Sequence, residues 1–353
     1  MAVSSGIRTL LKQLHASYLE GLKRPAPENT GNEQALAKLH QEMEEFFRAR
    51  LHEAEWAVVA QAAEARERGL RAARSQQVEL ARKWFSNARA IAESSLMSDV
   101  TRLFHSSRLA AAEAYLDYRC NDPDGARQRL AEALAADESL EKKYPHKLFH
   151  FHRLHLTENL IRVEMLAGNV ETALEMAKGI VCYLTGASGD SPLPGSWNPS
   201  LLPPESIPYL LTGVIVEICQ ILGGRTPESS RPQLAIIEDR LPALDSPLWQ
   251  PQALDWFITK SKFVKEDIPS FLERAALYLS SGSATSVLWR YVALDVVIAC
   301  DGLPLEEEAW ELQRLILRDA PEWKRMSIQL RSLVQDLAAG FACRSMKVGT
   351  ALP

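Results

Sequence analysis

Between residues 34 and 184 nearly every window of the chain carries the composition and spacing of an α-helix. Alanine, leucine, glutamate and arginine dominate, and these side chains lose little freedom in a helix. No convincing period-two alternation marks a strand. "NEQALAKLHQEMEEFFRARLHEAEWAVVAQAAEARERGLRAA" reads as one long helix or as two with a short break. Ser75 is the expected N-cap of the next helix, Ser98 or Asp99 of the one after, and a turn rich in Asn, Asp, Pro and Gly precedes "GARQRLAEAL". Pro145 suits a first helical position and Gly168-Asn169 a helix exit. Aligning "LARKWFSNARA", "GARQRLAEAL" and "TALEMAKGIV" brings Ala81, Ala126 and Ala173 into register, at intervals of 45 and 47 residues. An echo of that length is the spacing of two-helix units that stack to bury what one pair leaves open. A small residue early in the second helix lets it lie close to the first.

In this respect the chain resembles the tetratricopeptide-repeat superfamily over roughly residues 50–185. Ala126, Leu130 and Ala133 match that family's second-helix pattern, with Leu134 and Asp137 in support. Ala81, Phe85 and Ala88 match as well, and Gly168, Asn169, Val170 and Ala173 match the turn and helix entry. The first helices lack the family's tryptophan, glycine and tyrosine, and the period exceeds 34 residues. The resemblance implies a stacked array with a concave groove lined by first helices, and it implies no particular ligand.

The fold class expected is therefore all-α: stacked antiparallel helix pairs, a TPR-like α-solenoid, with an irregular helical C-terminal lobe. The segments are N-terminal helices at 1–50, repeats at 51–185, a Pro-rich loop at 186–208, the helical lobe at 209–346 and a tail at 347–353. The loop holds prolines at 192, 194, 199, 203 and 204, each of which fixes φ and lacks a donor. It is read as a packed connector or as a lid or partner-binding loop, and Trp197 is its candidate anchor.

The first 24 residues delay their first acid to Glu20, like a targeting segment. Ile7, Leu10, Leu11, Leu14, Tyr18 and Leu22 also recur at helical spacing, and a packed helix is the preferred reading. The chain has no unbroken run of eighteen apolar residues, so no membrane partner is expected. A net charge of −5 does not favour nucleic acid, whose phosphates call for a basic surface. The five cysteines are scattered and odd in number, which fits reduced thiols and a cytoplasmic location.

Half of the eight histidines fall within "YPHKLFHFHRLHL". At about 100° per residue His146 and His150 share one helix face and His152 and His155 another, so the four cannot hold one ion. No zinc or di-iron pattern surrounds them, which leaves His146 and His150 as weak metal candidates only. An acid–base role requires an oriented partner that the local sequence does not provide. His152 and His155 are expected to face the groove with Arg162, and Glu113 and Asp117 are expected on the same surface. The arginines at 66, 68, 71 and 74, interrupted by Glu64 and Glu67, read as a solvated face or as an anion- or acidic-peptide-binding strip. Phosphate loops and nucleophile elbows are missing, and no cofactor is expected. The function expected is a protein- or peptide-binding module, a regulator, adaptor or accessory subunit, with self-association open. The alternative is an all-α enzyme, or a small-molecule or metal sensor, with a pocket near residues 146–155 and the loop 186–208.

Overall fold

The computed structural model describes residues 5–25, 41–42, 44–93, 97–144, 146–186, 202, 204–301, 303, 307–324 and 326–349. All regular structure among the described residues is helical. The helices are α1 (Ser5–Lys23), α2 (Glu53–Arg74), α3 (Val78–Ala92), α4 (Asp99–Arg119), α5 (Pro123–Lys143), α6 (Lys147–Leu166) and α7 (Val170–Thr185). They continue as α8 (Ile207–Leu222), α9 (Pro227–Glu238), α10 (Pro251–Val264), α11 (Ile268–Ser281), α12 (Val287–Asp301), α13 (Glu307–Asp319) and α14 (Ile328–Gly349). Two compact units are formed: Asn29–Leu210, and Met1–Glu28 together with Leu211–Pro353. Most of the Pro-rich segment, Trp197 included, lies outside the described residues.

In the unit Asn29–Leu210, α2 packs on α3, α4 on α5 and α6 on α7, and these pairs touch through α2 on α4 and α5 on α6. That arrangement is compatible with a helical solenoid. The pairs share one turn geometry. Gln76, Asn121 and Gly168 have φ of 59°, 62° and 80°. In each turn the amide one residue further on reaches back five residues, from Gln77 to Ala72, Asp122 to Asp117 and Asn169 to Glu164, each at 2.9 Å. This is the 6→1 bond of a Schellman closure. Five residues beyond each left-handed position stands Ala81, Ala126 or Ala173, none of which retains exposed surface. Ser75, the expected N-cap of α3, instead ends α2. Its N–H still bonds back to Arg71 and Ala72, because the left-handed turn at Gln76 postpones the new helix to Val78.

Close approach is built in at these crossings. A Cβ on Gly69 of α2 would collide with the Phe85 ring of α3. Ser98 and Asp122 cap α4 and α5, accepting N–H bonds from Thr101 and Gly125.

In the other unit α1 packs on α11 and α13. Leu11, Leu14 and Tyr18 are buried, as the apolar spacing predicts for a packed helix, and Tyr18 stacks on Trp289 with ring centroids 5.3 Å apart. The turn from α10 to α11 repeats the left-handed closure, with Glu266 at φ 57° and the Asp267 amide bonded to the Lys262 carbonyl at 3.1 Å. A buried ion pair joins α10 to α12: Lys260 Nζ donates to both Asp295 carboxylate oxygens, at 2.8 and 2.9 Å. Residues 204–222 have the length and apolar composition of a membrane span, although no unbroken apolar run announces it, and half of that stretch is buried inside the protein.

Candidate functional site

A cavity of about 350 Å³ opens among the first helices of the three pairs in Asn29–Leu210. From α2 come Arg66, Glu67, Leu70 and Arg74, one face by their spacing of about four. From α4 come Arg108, Ala111, Ala112, Tyr115 and Tyr118, again at intervals of three and four. From α6 come His152, His155, Asn159 and Arg162. The second helices contribute only Leu130 of α5. Small alanines in the middle of α4 leave the space that bulkier side chains would fill.

The back of the cavity holds a buried polar chain. Asp137 of α5 is fully enclosed, and Ser107 Oγ donates to its Oδ1 at 2.7 Å. His152 Nδ1 lies 2.5 Å from Asp137 Oδ2. Opposite a carboxylate, Nδ1 carries the proton, so Nε2 is the lone-pair nitrogen left to the cavity. Burial, reinforced by the Arg108 guanidinium and opposed by Asp137, lowers the His152 pKa to about 4. At neutral pH its imidazole is therefore an uncharged acceptor. The half-buried Arg108 also has its pKa pulled down, to about 10, chiefly by burial, and lies over the Phe104 ring at 5.1 Å.

Three of the four histidines in the cluster serve quite different ends. His146 caps α6, its Nδ1 accepting the Leu148 N–H at 3.2 Å. His150 is fully buried between Glu141, whose Oε1 is 3.1 Å from Nδ1, and the Tyr183 hydroxyl on Nε2. His155 stands at the rim with 52% of its side chain exposed, and its Nδ1 is 3.5 Å from Glu158. His146 and His150 thus have separate surroundings. Among the described residues no group of three or more His, Cys, Asp or Glu side chains could hold a metal ion.

Of the groove residues expected from sequence, His152, His155 and Arg162 line the cavity together. Glu113 and Asp117 do not. Arg129 binds both, at 2.6 Å each, and Arg89 adds a 2.7 Å bond to Glu113. Their carboxylates are committed to the α4–α5 packing and to a link back to α3. The arginine run on α2 divides: Arg66 and Arg74 face the cavity, while Arg68 pairs with Glu64 at 2.5 Å and covers the Trp84 ring at 4.8 Å. Sequence reasoning missed Arg108, Tyr115 and Tyr118, whose spacing of seven and three residues marks a shared face of α4. It also missed Asp137 as the histidine's partner. Nothing local to α6 points to a carboxylate fifteen positions upstream.

No family model, no curated protein and no solved structure matches this chain.

Proposed function

We propose that residues 51–185 form a TPR-like array of stacked antiparallel helix pairs, and that its concave side binds a protein or peptide partner. One observation carries the reading. The cavity draws on α2, α4 and α6, the first helices of three successive pairs, and hardly at all on the helices between them. Alternation of that kind is how a two-helix solenoid presents a groove. The three equivalent Schellman turns, spaced as the buried alanines are, support the same reading. Arg162→Ala and His155→Ala are the test, since both side chains reach the cavity from a helix whose packing face they leave alone. A partner recovered with the wild-type chain should be lost or weakened by at least tenfold with either variant, at unchanged thermal stability. Retention at wild-type affinity by both variants rejects the groove.

The Asp137–His152 pair supports a second reading, in which the cavity holds a small molecule and His152 moves a proton. It is the weaker reading on chemical grounds. Ser107 is bonded to the carboxylate and not to the imidazole, and no Ser, Thr or Cys lines the cavity among the described residues. A nucleophile of that kind beside the base is the usual requirement for covalent chemistry.

A further inference from the structure

Resting on the reading of this cavity as a peptide-binding groove, we infer that its ligand is an acidic peptide segment, held by carboxylates on the arginines and by a backbone N–H on His152. The charge inventory comes first. Arg66, Arg74, Arg108 and Arg162 reach the cavity, against one acid, Glu67. Glu67 is already bonded to Arg66 at 3.0 Å. Glu113 and Asp117, which would have balanced the groove, are spent on Arg89 and Arg129. Asp137 lies behind His152, bonded by Ser107 and His152, and its charge offsets part of that of Arg108. Arg74 has no ion pair among the described residues. Arg66, Arg108 and Arg162 are half-buried and Arg74 is exposed at the rim, and a carboxylate entering this space gains charge-assisted, bidentate bonds from such guanidiniums. The cavity lining is net positive in a chain whose net charge is −5.

Two further features separate a peptide from other anions. The neutral His152 offers a lone pair on Nε2, so the ligand must bring a hydrogen-bond donor next to its negative charge. Fully ionised phosphate or a phosphodiester has none; a peptide places an amide N–H beside every side chain. The remaining walls, Leu70, Ala111, Ala112, Leu130 and Val163 with the two tyrosine rings, form an apolar surface. They suit an aliphatic side chain between acidic ones. Nucleic acid offers phosphates to the arginines and N–H donors on its bases, but it brings no aliphatic side chain to these walls.

The experiment uses the full chain and a fluorescein-labelled octapeptide alternating glutamate and leucine, followed by anisotropy. Companion probes carry glutamine or lysine for glutamate, or phosphoserine for two of the glutamates. Citrate and inorganic phosphate serve as free competitors. The glutamate probe should bind at least tenfold tighter than the glutamine probe, and the lysine probe should not bind. Raising the salt from 50 to 300 mM should weaken it severalfold. Arg74→Gln and Arg162→Gln should each cost about tenfold, whereas Arg68→Gln, outside the cavity, should change nothing. Equal binding of glutamate and glutamine probes overturns the acidic-ligand inference and leaves the peptide groove standing. Tight binding of citrate or phosphate with none of any peptide overturns both. A phosphoserine probe tighter by more than tenfold replaces carboxylate by phosphate as the ligand. No binding of the glutamate probe below millimolar concentration overturns the inference outright.

Discussion

His152 shows what a single side chain can be made to do by its neighbours. Burial drives its pKa, and that of His105, from the ordinary histidine value of 6.5 down to about 4. Below about pH 6.5 the unfolded chain takes up protons that these folded histidines refuse. Their contribution to stability is therefore complete above that pH and is lost as pH falls towards 4. At pH 5 each should have surrendered about 2 kcal/mol. The urea midpoint should fall steeply between pH 7 and pH 5, and His152→Gln, which keeps a donor for Asp137, should remove about half of that slope. Asp137→Ala should cost about 1–3 kcal/mol for each of the two groups it orphans, Ser107 Oγ and His152 Nδ1, measured by denaturant titration at pH 7. In the other unit Asp295→Ala should cost about 3–5 kcal/mol, because it strands Lys260 in a dry interior. These partnerships were illegible in the sequence. His146, His150, His152 and His155 look alike within thirteen residues, and the surroundings of His150 and His152 are set by Glu141, Tyr183 and Asp137, which arrive from α5 and α7. Helical spacing alone did identify His152 and His155 as neighbours on one face, and their shared cavity follows from it.

Single helices and their turns were the most legible part, because their signals are local. The spacing of Ala81, Ala126 and Ala173 picked out buried positions of the second helices, and the cap at Ser98 is written in the residue itself. The turns were harder. Gly168 and Asn121 are residue types that favour a left-handed turn, whereas Gln76 adopts the same conformation without advertising it, so Ser75 looks like a cap from sequence alone. Asn tolerates that region better than Gln, and glycine better than either. Gln76→Gly should therefore stabilise the α2–α3 hairpin by up to about 1 kcal/mol, while Gly168→Ala should cost about that much, although open space surrounds its Cβ position. Thermal melts of the two variants should move in opposite directions. At the crossings the effect is steric instead: Ala126→Leu should overpack and cost about 1–3 kcal/mol. An Ala126→Leu melt identical to the parent's would argue against the paired packing.

At the scale of the whole molecule, an all-helical chain was legible from composition and period, but the grouping of its helices was not. Periodicity shows that α1 has an apolar face; it is silent on what covers that face. The cover comes from α11 and α13 with Trp289 of α12, more than two hundred residues away in sequence, and a Cβ on Gly21 would strike the Leu279 carbonyl and the Trp289 indole. Gly21→Val should therefore destabilise the unit containing α11 and leave the other in place. Hydrogen exchange should show faster amide exchange in α1 and α11 and unchanged protection in α2 to α7. The same arrangement sets a timetable for synthesis. The pairs α2–α3, α4–α5 and α6–α7 are each contiguous in sequence, so both members of a pair emerge together. By contrast α1 emerges ahead of them and must wait for Trp289. At roughly 5–20 residues per second that delay is on the order of 13–50 seconds. For that interval Leu11, Leu14 and Tyr18 form a bare apolar stripe on a growing chain, a ready target for a chaperone or for a neighbouring nascent copy.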